Sequence, residues 1–181
     1  MVPQRGDDPL SGQLTNLTLI LGGARSGKSR QAEALLRAEP APWAYVATGQ
    51  ACDEEMAERI RHHQARRGEG WITIEEPIDL AGAIGGLRSG MPVLVDCLTL
   101  WLSNLILAGE DIEAATVALE EAIARHGAPV VLVSNEVGLG IVPENALARR
   151  FRDEQGRLNQ VMARRARAVL FMVAGLPITV K

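Results

Sequence analysis

Residues 17–29 read Leu-Thr-Leu-Ile-Leu-Gly-Gly-Ala-Arg-Ser-Gly-Lys-Ser, a short apolar run followed by the pattern G-x-x-x-x-G-K-S. This pattern is typical of a phosphate-binding loop that joins a strand to a helix. The glycines at 22, 23 and 27 allow backbone conformations that a Cβ would hinder, so successive N–H groups can turn toward a polyphosphate. The stretch therefore predicts nucleotide binding at the end of the first strand.

The last residues of this loop have distinct predicted roles. Lys28 supplies a positive charge to the β and γ phosphates and is predicted to be catalytic, whereas Ser29 offers its hydroxyl to Mg²⁺. A helix predicted over 29–38 directs the positive end of its dipole at the anion. The nucleotide-binding residues predicted from the loop are Gly22, Gly23, Ala24, Arg25, Ser26, Gly27, Lys28 and Ser29.

The bulk composition is that of a soluble globular protein. The chain has 181 residues, 47% hydrophobic and 23% charged, which suits one domain with its own core. The net charge of −3 argues against a general nucleic-acid-binding surface, which would need a basic face. The longest apolar stretch is too short and too interrupted by polar residues to span a membrane.

The N-terminal residues differ from the rest of the chain. Residues 1–15 are polar and lack an apolar signal segment, so we predict a disordered leader there and a single catalytic domain over 16–181. The only two cysteines, Cys52 and Cys97, are expected to be reduced thiols of a cytoplasmic protein. Cys97 is expected to belong to the core.

Apolar runs alternate with helical patterns along the chain. This alternation predicts an α/β fold in which a mostly parallel sheet is covered by helices on both faces, with an antiparallel edge strand over 178–181 after a turn at 175–177. The other strands are predicted over 17–21, 43–48, 71–75, 92–96, 129–134 and 168–174. The helices are predicted over 29–38, 53–67, 78–87, 98–107, 112–126 and 143–167, where Gly156 is a potential kink.

The carboxyl ends of parallel strands share one edge of a sheet, which is where ligands bind. The topology collects there the phosphate loop, the Thr48–Gln50 turn, Glu75, Asp96 and Asn135–Glu136. Asp96 follows the apolar residues 93–95, and a carboxylate in that position holds Mg²⁺ directly or through water in phosphate-loop enzymes. We therefore predict Asp96 and Ser29 as the metal site.

The histidine pair His62-His63 lies near the basic end of the helix predicted over 53–67. An imidazole near a nucleotide can act as a general base, bind a metal or attack phosphorus itself. A pair at a helix end is also commonly a solvated last turn. The residues alone leave these alternatives open.

Several strings in the chain resemble one family, the bifunctional adenosylcobinamide kinase and adenosylcobinamide-phosphate guanylyltransferase of cobalamin biosynthesis. Besides the phosphate loop, they begin at residue 45 (Tyr-Val-Ala-Thr-Gly-Gln), residue 53 (Asp-Glu-Glu-Met-Ala-Glu-Arg-Ile-Arg-His-His) and residue 95 (Val-Asp-Cys-Leu-Thr-Leu-Trp-Leu-Ser-Asn). The most specific one begins at residue 134 (Ser-Asn-Glu-Val-Gly-Leu-Gly-Ile-Val-Pro-Glu-Asn). The likeness runs in order from about residue 17 to the end.

The resemblance implies a recombinase-like phosphate-loop fold assembled as a homotrimer. It makes His62 the nucleophile that becomes guanylylated, with ATP or GTP, Mg²⁺, adenosylcobinamide and adenosylcobinamide-phosphate as cofactor and substrates. Beyond the loop, it implies nucleotide contacts at Thr48, Gly49, Gln50, His63, Gln64, Ala65, Arg66, Glu75 and Asp96.

Two other functions share the phosphate loop. A generic small-molecule kinase would have no use for a histidine nucleophile. A nucleotide switch or recombinase-like strand-binding module would need a nucleic-acid surface, which the acidic net charge disfavours.

Overall fold

A computed structural model describes residues 14–49 and 68–181 of the chain. Within these residues seven strands form a single sheet. The strands are β1 (Leu14–Gly22), β2 (Trp43–Ala47), β3 (Trp71–Glu75), β4 (Val93–Asp96), β5 (Val130–Val133), β6 (Ala166–Val173) and β7 (Leu176–Thr179). Their order in the sheet is β3-β2-β4-β5-β1-β6-β7.

Five helices lie in the described residues: α1 (Lys28–Leu36), α2 (Leu80–Gly85), α3 (Leu98–Ala108), α4 (Ile112–His126) and α5 (Ala146–Arg165). Three of them begin at a side chain that accepts a hydrogen bond from the first turn, namely Asp79, Asp111 and Asn145. Such caps satisfy backbone donors that have no partner within the helix. The helix predicted over 53–67 lies outside the described residues.

All neighbouring strands are parallel except β6 and β7, which pair antiparallel. The predicted mostly parallel α/β sheet and its antiparallel C-terminal edge are therefore confirmed. The turn before that edge is shorter than predicted, since β7 already begins at Leu176. Ala174 and Gly175 both have positive φ, 51° and 83°, which is the conformation that a two-residue hairpin turn requires.

The core lies on both faces of the sheet. On one face the buried residues of α1, Ala32 and Leu36, pack against the strands with Ile20, Leu94 and Val131. The other face carries the larger cluster, to which α2, α3, α4 and α5 all contribute buried side chains. Residues 93–95 of β4 and all four residues of β5 are apolar without alternation, because helices cover these strands on both sides.

Some boundaries differ from the sequence prediction. β1 begins at Leu14 rather than at residue 17. The last helix begins at Ala146 rather than 143, because Asn145 caps it. It continues for 20 residues through Gly156 without a break, since buried residues on either side of the glycine hold the helix against the sheet. In the described part of the chain, no helix is both long and apolar enough to cross a bilayer.

Candidate active site

The phosphate loop connects β1 to α1. Gly27 forms the N-cap of α1 in a left-handed conformation, with φ at 98°, and no side chain caps the helix. Backbone donors of the first turn therefore face the loop, as anion-binding helix termini require. Lys28 is 7% exposed, and its Nζ donates to the Gly23 carbonyl at 2.6 Å. The loop is thus folded around a buried positive charge.

The turn between β6 and β7 contacts the phosphate loop. The Gly175 N–H donates to the Ser26 carbonyl at 3.0 Å. A Cβ on Gly22, whose φ is 149°, would lie 2.7 Å from the Met172 carbonyl oxygen and 2.8 Å from Ser26 Oγ. Only glycine fits this close approach. Ser26 Oγ is itself buried without a hydrogen-bond partner.

Two non-glycine residues of the described chain have positive φ, and both lie at this site. Arg25 has φ at 55° at the tip of the phosphate loop, and Ala174 has φ at 51° in the supporting turn. Such conformations cost energy and persist where surrounding structure holds them, commonly at functional sites. Arg25 is exposed there, so its guanidinium is open to a ligand.

Thr48 is fully buried, and its polar groups are engaged within the protein. Its Oγ1 donates to the Cys97 carbonyl at 2.7 Å and accepts from the Cys97 N–H at 2.8 Å. Its N–H donates to the Asp96 carbonyl at 3.3 Å, and its carbonyl accepts from Asn104 Nδ2 at 2.9 Å. Thr48 therefore joins the ends of β2 and β4 and positions Gly49, which follows it.

Asp96 lies half-buried at the end of β4. Its Oδ2 accepts a hydrogen bond from the Tyr45 hydroxyl at 3.0 Å, which orients the carboxylate. β4 is separated from β1 by β5 alone, so the two strand ends are roughly 10 Å apart at the usual strand spacing. One carboxylate and one hydroxyl, Ser29, match the way Mg²⁺ is held together with phosphate oxygens and water.

Cys97, next to Asp96, is buried as predicted. Burial, and secondarily the adjacent Asp96 charge, raises the pKa of its thiol to about 11. The Cys97 thiol therefore stays protonated at neutral pH, and the residue belongs to the core cluster on the α1 face of the sheet.

Glu75 lies at the same sheet edge but far from the phosphate loop. It is exposed at the end of β3, where it pairs in register with Ala47. β3 is four strands from β1, roughly 19 Å at the usual spacing. Glu75 is therefore remote from phosphates bound at the loop.

The described residues do not include the remaining predicted site residues. These are His62, the proposed nucleophile, together with Gln50, His63, Gln64, Ala65 and Arg66. Their roles stay predictions.

A buried polar network at the end of β5 was not predicted from the sequence. Ser134 Oγ donates to Asn159 Oδ1 at 2.7 Å, and Gln155 Nε2 donates to both oxygens, at 2.9 and 3.0 Å. Asn159 Nδ2 donates to the Asn135 carbonyl at 3.1 Å, while the Asn135 N–H donates to Thr99 Oγ1 at 2.8 Å. The network fixes the Asn135 backbone between Asp96 and the phosphate loop.

A sequence signal for this network does exist. Gln155 and Asn159 are spaced i,i+4 on the same face of α5 as the buried Leu158 and Met162. Two amides on an otherwise apolar helix face imply a buried hydrogen-bonding partner.

Comparisons with known proteins assign the chain to a family. A family model described as "Cobinamide kinase / cobinamide phosphate guanyltransferase" matches residues 18–180. The chain belongs to this family. A bifunctional adenosylcobalamin biosynthesis protein, CobP, of Pseudomonas aeruginosa is 48% identical over 166 residues, which cover 90% of this chain and 96% of the relative. The bifunctional adenosylcobalamin biosynthesis protein CobU of Escherichia coli is 42% identical, and the match covers 91% of this chain and 99% of the relative.

A solved structure, the flagellar accessory protein FlaH of Methanocaldococcus jannaschii, shares the fold alone. It is 12% identical with a TM-score of 0.52, and the match covers 98% of this chain and 86% of that one. The predicted mostly parallel α/β fold, with the phosphate loop between its first strand and first helix, is confirmed. Family membership also identifies the protein as an enzyme, a bifunctional kinase and guanylyltransferase of cobalamin biosynthesis.

Proposed function

We propose that this protein phosphorylates adenosylcobinamide with ATP or GTP and then transfers GMP from GTP to adenosylcobinamide-phosphate, giving adenosylcobinamide-GDP. The second reaction proceeds through a covalent GMP intermediate on His62. The observation that carries the proposal is the family match over residues 18–180, on a chain whose phosphate loop encloses a buried Lys28 at the end of β1.

In the kinase step, the hydroxyl of the aminopropanol arm of adenosylcobinamide attacks the γ phosphorus. A new O–P bond forms, the bond to the β-phosphate oxygen breaks, the nucleoside diphosphate leaves and the hydroxyl proton passes to solvent. Lys28 and the N–H groups of the loop stabilise the negative charge on the transferring group. On nucleotide binding, Lys28 Nζ exchanges the Gly23 carbonyl, its present acceptor, for phosphate oxygens.

Ser29 and Asp96 are the described residues that would hold Mg²⁺. Asp96 is suited to this because the Tyr45 hydroxyl engages only its Oδ2. When bound, the ion neutralises charge on the phosphates.

In the transferase step, neutral His62 attacks the α phosphorus of GTP and pyrophosphate leaves. The phosphate of adenosylcobinamide-phosphate then attacks the same phosphorus, the P–N bond breaks, and free histidine is restored. Imidazole suits this role because it is nucleophilic near neutral pH and leaves readily once protonated.

The remaining predicted residues are proposed to bind GTP in this second step. Gln50 and the segment His63–Arg66 flank the nucleophile in sequence, and Gly49 lies at the turn that Thr48 fixes. Because β3 is four strands from the phosphate loop, Glu75 would contact the nucleoside end of GTP rather than phosphates held at that loop.

The test of the covalent step is the variant His62→Ala with His126→Ala as the matched control, because His126 lies at the end of α4 and its Nε2 contacts the Met91 carbonyl at 2.7 Å, away from the phosphate loop. Incubation with α-labelled GTP should leave acid-labile, base-stable label on the native protein and on His126→Ala. His62→Ala should take up none while keeping most of its kinase activity. Equal loss of both activities in His62→Ala would refute the division of roles, and unlabelled native protein would favour a generic phosphate-loop kinase.

We further propose that the enzyme is a cytoplasmic homotrimer. Leu176, Ile178 and Val180 are 69%, 53% and 64% exposed along β7 and the residue after it, an edge that suits contact with another copy. Light scattering coupled to size exclusion should give three chain masses for the native protein. A monomer at micromolar concentration would contradict this assembly.

A further inference from the structure

We propose that the loop over residues 135–145 binds the corrin macrocycle of the cobinamide substrate through an apolar platform. The platform consists of Leu139, Ile141 and Val142 together with Leu147 in the first turn of α5. This inference rests on the proposed function, because it assigns a binding surface to the substrate of that function.

The 135–145 loop starts beside the phosphate loop. It follows β5, the neighbour of β1, and the Glu136 N–H donates to the Gly22 carbonyl at 3.1 Å. Gly22 is the first residue of the phosphate-binding pattern. A substrate whose hydroxyl reaches a γ phosphate at Lys28 therefore lies close to the end of β5, where the 135–145 loop begins.

The platform side chains are unusually exposed for their type. Leu139 is 83% exposed, Ile141 98%, Val142 61% and Leu147 51%. All four lie within nine residues of the chain, and large apolar side chains exposed together beside a polar site mark a binding surface.

The backbone that carries this platform is held at both ends. At the start, Asn135 is fixed by Thr99 and Asn159, and the Gly138 N–H donates to Glu136 Oε1 at 2.6 Å. At the end, Arg149 Nη1 donates to the Pro143 carbonyl at 2.9 Å and also to the Glu144 carbonyl. The apolar side chains are thus presented on an anchored loop, which lowers the entropy cost of binding.

The chemistry of the loop matches a corrinoid better than a nucleotide. Residues 137–143 read Val-Gly-Leu-Gly-Ile-Val-Pro and contain no charged or hydrogen-bonding side chain. A polyanionic nucleotide would find no side-chain partner there. A corrin ring carries methyl groups on both faces and amide arms at its edge, so apolar side chains can cover a face while backbone groups meet the amides.

The experiment compares Ile141→Ser and the double variant Leu139→Ser/Ile141→Ser with a matched control, Leu107→Ser. Leu107 is 75% exposed near the end of α3, which runs away from the site edge.

Kinase kinetics are measured with adenosylcobinamide and nucleotide varied in turn. Loss of buried apolar contacts should raise KM for adenosylcobinamide about 10- to 100-fold. The nucleotide KM and kcat should stay within about twofold, and the control should be unchanged.

Equilibrium dialysis with adenosylcobinamide alone separates this proposal from the proposed function. If the native protein binds adenosylcobinamide but does not phosphorylate it, the proposed function is refuted. In that case the apolar platform is supported if Ile141→Ser weakens binding and overturned if it does not. Unchanged KM and unchanged binding in the double variant would overturn the platform while leaving the function intact. A change in sedimentation behaviour of the variants would assign the surface to contact between copies and also overturn it. Native protein that binds no adenosylcobinamide would overturn both.

Discussion

The phosphate loop and the 135–145 loop follow neighbouring strands at one edge of the sheet, yet they are built differently. The phosphate loop takes its shape from backbone conformation, with glycines at 22 and 27 and one buried charge, Lys28. The 135–145 loop is held by side chains of α3 and α5, and it exposes Leu139 and Ile141. A single sheet edge can thus present both a loop of backbone donors suited to an anion and a set of exposed apolar side chains.

The largest expected effect comes from removing the charge of the phosphate loop. Lys28→Ala should lower kcat of both proposed reactions about 10²- to 10³-fold, because a preorganised donor to the phosphates is lost. Lys181→Ala is the matched control, since the Lys181 Nζ donates to the Ala163 and Arg164 carbonyls at the end of α5, at 3.2 and 3.0 Å. Steady-state kinetics of both reactions measure the change in kcat. Normal phosphorylation by Lys28→Ala would show that the phosphate loop has no part in the mechanism.

An intermediate effect is expected from the side chains that hold the start of the 135–145 loop. Asn159→Leu removes the acceptor of the Ser134 hydroxyl and one of the two acceptors of Gln155 Nε2, which keeps its bond to Ser134 Oγ, so the free energy of unfolding should fall by about 1–3 kcal/mol. It also releases the Asn135 carbonyl beside the phosphate loop, so kcat of the kinase reaction should fall about 10-fold, the equivalent of one positioning hydrogen bond.

Asn16→Leu provides the matched control for that variant. Asn16 Nδ2 donates to the Ile123 and Ala128 carbonyls at 3.1 and 2.9 Å, at the opposite end of the sheet. A comparable loss in denaturant stability without a loss in kcat is expected. If the two variants lose activity equally, the α5 network is only a stability element.

The smallest effect is expected at the far end of the 135–145 loop. Arg149→Ala removes the bonds to the Pro143 and Glu144 carbonyls, and this should raise KM for adenosylcobinamide about two- to fivefold, the equivalent of a net hydrogen bond. Arg125→Ala, which removes only an exposed pair with Glu121 at 3.2 Å, should leave KM unchanged. Identical KM values for both variants would show that the loop needs only its anchor at Asn135.

Prediction succeeded where a local pattern carries the information. The strand bounds at Trp71–Glu75 and the helix bounds at Ile112–His126 agree with the apolar periodicity and caps of those segments. It was less accurate at the β6–β7 turn, because positive φ at Ala174 is not signalled by an alanine.

For the site, the sequence alone determined the phosphate loop, the carboxylate at the end of β4 and the family, since glycine spacing, apolar runs and motif strings are properties of contiguous residues. Only the tertiary structure decided that Thr48 bonds within the protein, that Glu75 lies four strands from the phosphate loop, and that Asn159 fixes Asn135. The physical reason is that these facts depend on strand order and register. Both are set by packing between segments distant in sequence, which no local pattern encodes.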